Sequence, residues 1–120
     1  MASSFKDLKV WQLSREVANL VYRETISFPE TEKFGLMSQM RRCAISILSN
    51  IAEGSGRQSS KEFLQFPSFA KGSCKELETQ LIICQDLGYL KQDSDILLCK
   101  IEEINKMLAG LAKSLKITDN

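Results

Sequence analysis

Apolar residues recur along this chain at three- and four-residue steps, the period of an α-helix. From about Asp7 to Ser27, Val10, Leu13, Val17 and Leu20 form one stripe, with Trp11, Ala18 and Tyr22 forming a second beside it. Two stripes call for two packing partners, or one wide one. Phe28-Pro29 ends this first helix, because the residue before a proline is pushed out of the α region. A second helix is predicted over about 32–53, capped near Thr31. The third runs over about 60–87 and opens with Ser59 and Glu62 in capping-box spacing. Its core stripe is Phe63, Phe66, Ala70, Leu77, Leu81 and Cys84. Pro67 lies inside that stripe and predicts a kink or a lost hydrogen bond, with Gly72 loosening the next turn. Gly88 reads as a C-cap, with Tyr89 and Leu90 folding back on the core. A fourth helix over about 93–116, capped by Asp93 or Ser94, carries Leu97, Ile101, Ile104, Leu108, Leu111 and Leu115 as a coiled-coil-like seam. Met1 to Lys6 read as a loose lead-in pinned by Phe5, and Ile117 to Asn120 as a frayed tail. With no strand pattern or internal repeat, residues 1–120 read as one all-α domain. Short links make it an antiparallel up-down-up-down four-helix bundle.

The second helix organises the chain. Placed at 100° intervals, Leu36, Met37, Met40, Cys43, Ala44, Ile45, Ile47, Leu48, Ile51 and Ala52 cover an arc of about 200°, twice the ordinary stripe. A helix this apolar buries against its own bundle and against a second subunit. Arg41, Ile45, Leu48 and Ala52 are the candidate interface residues. Arg41 falls inside the apolar arc, so its charge must reach water, meet a carboxylate across helices or subunits, or face a ligand. Gly54-Ser55-Gly56 is expected to close the helix with left-handed glycine geometry. GSGR lacks the spacing of a phosphate-binding P-loop and follows a helix rather than a strand.

Composition narrows the chemistry. At 43% apolar and 26% charged, the 120 residues suit one soluble domain with a real core. No window holds the roughly 18 unbroken apolar residues of a membrane span. The N-terminus lacks an apolar signal region, so the expected location is cytoplasmic. The four cysteines, Cys43, Cys74, Cys84 and Cys99, lack close C-x-x-C spacing and read as reduced, buried small hydrophobes. There is no histidine, which removes Ser-His-Asp and Cys-His pairs and nearly every catalytic zinc site. The reading is therefore not an enzyme, with no cofactor and no metal. The enzyme candidates, Glu53, Glu62, Glu76 and Glu78 as a di-metal carboxylate site, lack the Glu-x-x-His pairs such sites use. A net charge of +1 gives no global pull toward nucleic acid, so any such affinity must come from local clustering.

The runs FKDLKVWQLSREVANLVYRET, GLMSQMRRCAISILSNIAEGSGRQSSKEF and AKGSCKELETQLIICQDLGYL resemble the bacterial four-helix-bundle family, also called the ribosomal-RNA intervening-sequence protein family. Members are encoded within insertions in large-subunit ribosomal RNA genes and elsewhere, and have been labelled ribosomal proteins. A relative is the accessory variability determinant of diversity-generating retroelements, a ring-shaped homopentamer that binds nucleic acid. The combination RR-x-A-x-S-I-x-x-N-I-A-E-G-x-G-R, from Arg41 to Arg57, carries the resemblance. It implies a four-helix bundle assembled into a ring-shaped homo-oligomer, a pentamer, and a nucleic-acid role. Arg41, Arg42, Asn50, Glu53, Arg57, Glu62, Glu76 and Gln80 match motif positions. Two features depart from the pattern: Pro67, where the family keeps a helix-compatible residue, and a near-neutral charge where the retroelement relative is strongly basic.

Two functions stay open. One is an RNA- or DNA-binding oligomer whose candidate residues, Arg41, Arg42, Arg57 and Lys61, are read as clustering around one end of the second helix. Lys6, Lys9 and Arg15 add to them across a subunit boundary. No aromatic residue interleaves this cluster in sequence, so base stacking is not signalled. The other is a structural or adaptor module for a protein partner, with these arginines paired to Glu53, Glu62 and Glu76.

Overall fold

The computed structural model describes residues 4–90 and 94–118. Its elements are α1 (Lys9–Thr25), α2 (Leu36–Ser55), α3 (Ser60–Phe63), α4 (Gln65–Asp86) and α5 (Ser94–Thr118), with 3-10 turns at Phe5–Asp7 and Glu30–Glu32. α3 and α4 form one interrupted rod, so four rods pack in cyclic order: α1 on α2, α2 on α4, α4 on α5 and α5 on α1. This is the expected four-helix bundle, with Cα extents of 49 × 20 × 20 Å. No helix among the described residues is long and apolar enough to cross a membrane.

The periodic residues form one core. Val17, Val21, Ile47, Ile51, Leu77, Leu81, Leu97, Ile101, Ile104 and Leu108 are all but sealed from solvent. Each contributes about 1.5–3 kcal/mol of transfer free energy. Cys43, Cys74 and Cys84 join them as buried free thiols, while Cys99 is exposed. Burial pushes the Cys43 and Cys74 thiols up to about 12 and that of Cys84 up to about 11. The α2–α4 seam is partly polar. Cys43 Sγ donates to the Ser73 carbonyl (3.0 Å), the Ser46 and Ser73 hydroxyls are 2.9 Å apart, and Asn50 Nδ2 donates to the Ser46 carbonyl (2.8 Å). The motif residue Asn50 thus bonds back within its own helix, to the serine that meets Ser73.

The termini of the helices differ from expectation in instructive ways. The lead-in is structured from Ser4, whose hydroxyl accepts from Lys6 N while Asp7 accepts from Ser4 N. Phe5 pins it edge-on against Trp11 at 5.1 Å. α2 begins at Leu36, not near Glu32, and Thr31 does not cap it. Pro29 opens a 3-10 turn instead, and the Glu32 carboxylate accepts the Leu36 N–H at 3.3 Å. At the other end of α2, Gly56 keeps a right-handed φ of −84°, so left-handed glycine closure does not occur there. What requires glycine is close approach. A Cβ on Gly54 would lie 2.7 Å from Phe66 Cβ and 2.8 Å from Phe63 Cδ1.

Those two phenylalanines flank a break in the third rod. The break falls at Leu64, in the turn before Pro67. That is where a proline acts: it has no N–H for the carbonyl four residues back, and its ring pushes that carbonyl aside. The expected disruption by Pro67 therefore takes the form of a break between α3 and α4 at Leu64, and Pro67 is buried beside it. Gly88 takes the left-handed φ of 71°, and Tyr89 N–H bonds back to the Cys84 carbonyl at 3.0 Å, closing α4 as expected. Of the expected caps for α5, Asp93 lies outside the described residues, as do Met1–Ser3 of the lead-in and 119–120 of the tail.

Candidate nucleic-acid interface

The linker between α1 and α2 is tied down from across the bundle. Phe28 is buried against Tyr89, ring centroids 5.3 Å apart. The Tyr89 hydroxyl donates to Glu32 Oε2 at 3.0 Å. That bond requires the protonated phenol and holds the Tyr89 pKa above its ordinary value. Glu32 is thereby occupied at both oxygens, by Tyr89 and by Leu36 N–H. The next two residues, Lys33 and Phe34, are left on the surface.

Arg41 resolves the oddity of a charge in an apolar arc. It forms no ion pair among the described residues. Its Nε donates to Thr25 Oγ1 (2.9 Å) and its terminal nitrogen to the Tyr22 carbonyl (3.1 Å). Thr25, fully buried, passes the bond on to the Val21 carbonyl at 2.7 Å. The guanidinium thus satisfies the last turn of α1, where the helix dipole favours a cation. It also stands 4.6 Å from the Tyr22 ring centroid. Within the chain, Arg41 makes a helix-capping contact in place of an interhelix ion pair, one of the readings open for it.

These contacts build a pocket of about 380 Å³ at the α1–α2 corner. Tyr22, Lys33, Phe34, Arg41 and Arg42 line it, with Met37 and Ser38 completing the wall. Three cations meet two accessible aromatic rings here. Phe34 is 88% exposed and Tyr22 42% exposed. Lys33 Nζ lies 5.7 Å from the Phe34 centroid. Arg42 is exposed, and neither it nor Lys33 has an ion pair among the described residues.

The basic residues singled out from sequence therefore divide. Arg41 and Arg42 belong to this pocket, in the first half of α2. Arg57 lies just beyond the far end of α2, about 20 Å away at the helical rise of about 1.5 Å per residue. It is paired with Glu53 at 3.2 Å and stands 4.8 Å from the Phe66 centroid, so it secures the Gly54 corner. Lys61 is exposed beside it on α3. The four do not converge on one end of α2. The aromatic component that sequence reasoning missed comes from Tyr22 and Phe34, which are 20 and 8 positions before Arg42 in the chain. The Lys33-Phe34-Gly35 run in the linker was its only local trace.

The candidate interface residues share one partly exposed face of α2, with Arg41 packed on α1 and Leu48 against the core. Ile45 is 41% exposed, and Leu48 and Ala52 are half-buried. The stripe starts at Arg41, so it adjoins the pocket. The glutamates considered for a metal site lie at the surface rather than in the core, with Glu53 paired to Arg57 and Glu78 to Lys75. Among the described residues no group of three or more potential ligands is placed to hold a metal ion.

Comparison with known proteins agrees with this architecture. A protein of unknown function from the S23 ribosomal protein family of Bacteroides thetaiotaomicron superposes with a TM-score of 0.78 at 25% identity, covering 87% of this chain and 95% of its own. No match is found among curated proteins. The model of the 23S rRNA-intervening sequence protein family matches residues 6–110, from the lead-in turn through most of α5. With the Arg41–Arg57 motif now accounted for by helix capping, seam packing and the Gly54 contact, the chain belongs to the 23S rRNA-intervening sequence protein family.

Proposed function

We propose that this protein is a non-enzymatic, oligomeric helical bundle that binds RNA or DNA backbone through the corner built by Lys33, Arg41 and Arg42. The observation that carries the reading is the pair of exposed cations, Lys33 and Arg42, with no carboxylate partner among the described residues. Cations held unpaired beside a fixed pocket are available to phosphate, and a net charge of +1 makes such local placement the means of attraction. The family name, which refers to an intervening sequence in 23S rRNA, and the family resemblance both point the same way. The partly exposed stripe Arg41–Ile45–Leu48–Ala52 supports self-association, and the resemblance implies a ring-shaped homopentamer. Five copies of a small basic corner would bind one long strand far more tightly than one copy does.

The second reading, an adaptor for a protein partner, rests on the apolar side chains exposed at the same end of the bundle: Ile26, Phe34, Leu87 and Ile96.

Titration of labelled RNA and DNA, each at about 50 and 200 mM salt, separates the two. At a slope of about −0.7 per phosphate on a single strand, two or three contacts weaken binding about 7- to 20-fold over that range for each protomer engaged. Lys33→Ala/Arg42→Ala should abolish most of this. No binding by wild type at the lower salt would select the adaptor reading.

A further inference from the structure

The basic corner carries more than charge, and this inference rests on the nucleic-acid reading above. We infer that the pocket accepts an unpaired nucleobase stacked on Phe34, so the ligand is single-stranded RNA or DNA rather than duplex.

The first ground is the exposure of Phe34. A ring left 88% accessible gains almost nothing from folding, whereas Phe28 in the same linker is buried. The ring is not an unanchored loop tip. Glu32, two residues before it, is bonded to Tyr89 and to Leu36 N–H, and α2 starts two residues after it. Held at both sides, the backbone that presents Phe34 needs no further ordering on binding.

The second ground is what surrounds the ring. Tyr22 is held in place on the far side of the same pocket by Arg41. Lys33 and Arg42 stand on the rim with their charges unpaired among the described residues. A volume of about 380 Å³ suits one flat ligand at the small end of binding pockets, about 300–1,000 Å³. Rings that offer a face, flanked by cations that track a backbone, are the recurrent chemistry of single-strand recognition. In a duplex the base faces are stacked inside, so no base within the helix could stack on Phe34.

The experiment compares a 12-mer single strand, the matching duplex and a 12-mer abasic strand, each as a labelled probe against wild type, Phe34→Ala, Phe34→Trp and Arg42→Ala. RNA and DNA versions of the base-bearing strands distinguish the two sources of the base. Stacking predicts that Phe34→Ala weakens the single strand about 5- to 150-fold, leaves the abasic strand unchanged and is rescued by Phe34→Trp. Equal affinity of wild type and Phe34→Ala for the single strand, with Arg42→Ala still weakening it, would overturn the stacked base and leave the backbone reading standing. Duplex binding as tight as single-strand binding would do the same. If wild type binds none of the probes at about 50 mM salt, the nucleic-acid reading itself falls and this inference with it.

Discussion

Gly54 offers the sharpest test of how the family motif works, because its surroundings set two opposing terms. Glycine costs about 0.5–1 kcal/mol relative to alanine in a helix interior and less in the last turn, where Gly54 lies, so Gly54→Ala would stabilise α2 by at most that much if nothing lay beside it. A Cβ there, however, would lie 2.7 Å from Phe66 Cβ and 2.8 Å from Phe63 Cδ1. The nearer atom is bonded to backbone and cannot rotate away, so α2 and the α3–α4 rod must part. Overpacking of that kind costs about 1–3 kcal/mol. The net is a loss of about 0.5–2 kcal/mol, or roughly 2–10 °C in Tm for a domain of this size. Gly72 is the internal control. It sits mid-helix in α4, is exposed, and a Cβ there would meet nothing within 4 Å. Gly72→Ala should therefore gain about 0.5–1 kcal/mol. Urea unfolding of both variants at one protein concentration reads the difference directly. Gly54→Ala as stable as wild type, or shifted in parallel with Gly72→Ala, would refute the close-packing account.

Further outcomes follow from the same structure. Pro67→Ala loses a buried ring and the conformational restriction of the unfolded chain, so it should lower unfolding free energy by about 1–2 kcal/mol. An increase would show that the proline is incidental to packing. Ile45→Asp or Leu48→Asp should lower the mass measured by light scattering, and an unchanged mass would exclude the α2 stripe as an interface. Stability should fall with rising pH above about 9, because the unfolded thiols ionise from the ordinary value of 9.0 while Cys43 and Cys74 stay protonated to about 12 and Cys84 to about 11. Each thiol contributes a slope of at most about 1.4 kcal/mol per pH unit, read by urea unfolding under reductant, and a flat profile would mean that the thiols are not sealed.

The bundle was legible because burial repeats with the helical period. The α5 seam from Leu97 to Leu108 and the α2 core residues Met40, Ile47 and Ile51 could be named from spacing alone. Local cues were less secure where tertiary contacts override them. Thr31 is a good N-cap by type, yet Glu32 supplies the cap because Tyr89, 57 residues on, holds its carboxylate in place. Gly54 and Gly56 look like a left-handed closure, but the reason for glycine at position 54 lies in phenylalanines from the next helix. The candidate site was half legible. Arg41 and Arg42 are conspicuous beside an apolar arc, and neither residue's neighbours in sequence reveal that α1 brings Tyr22, and the linker Phe34, to the same pocket. Arg57 stands near them in the motif, although most of a helix separates them in the fold.

Photo-cross-linking can place a bound base on the protein. A single-stranded RNA carrying a photoreactive base is bound at low salt and irradiated, and the attached peptides are mapped. Adducts are expected on the linker residues Lys33 and Phe34 or on Tyr22, and lost in Lys33→Ala/Arg42→Ala. Adducts confined to the Arg57–Lys61 end, or none above background, would contradict binding at the α1–α2 corner.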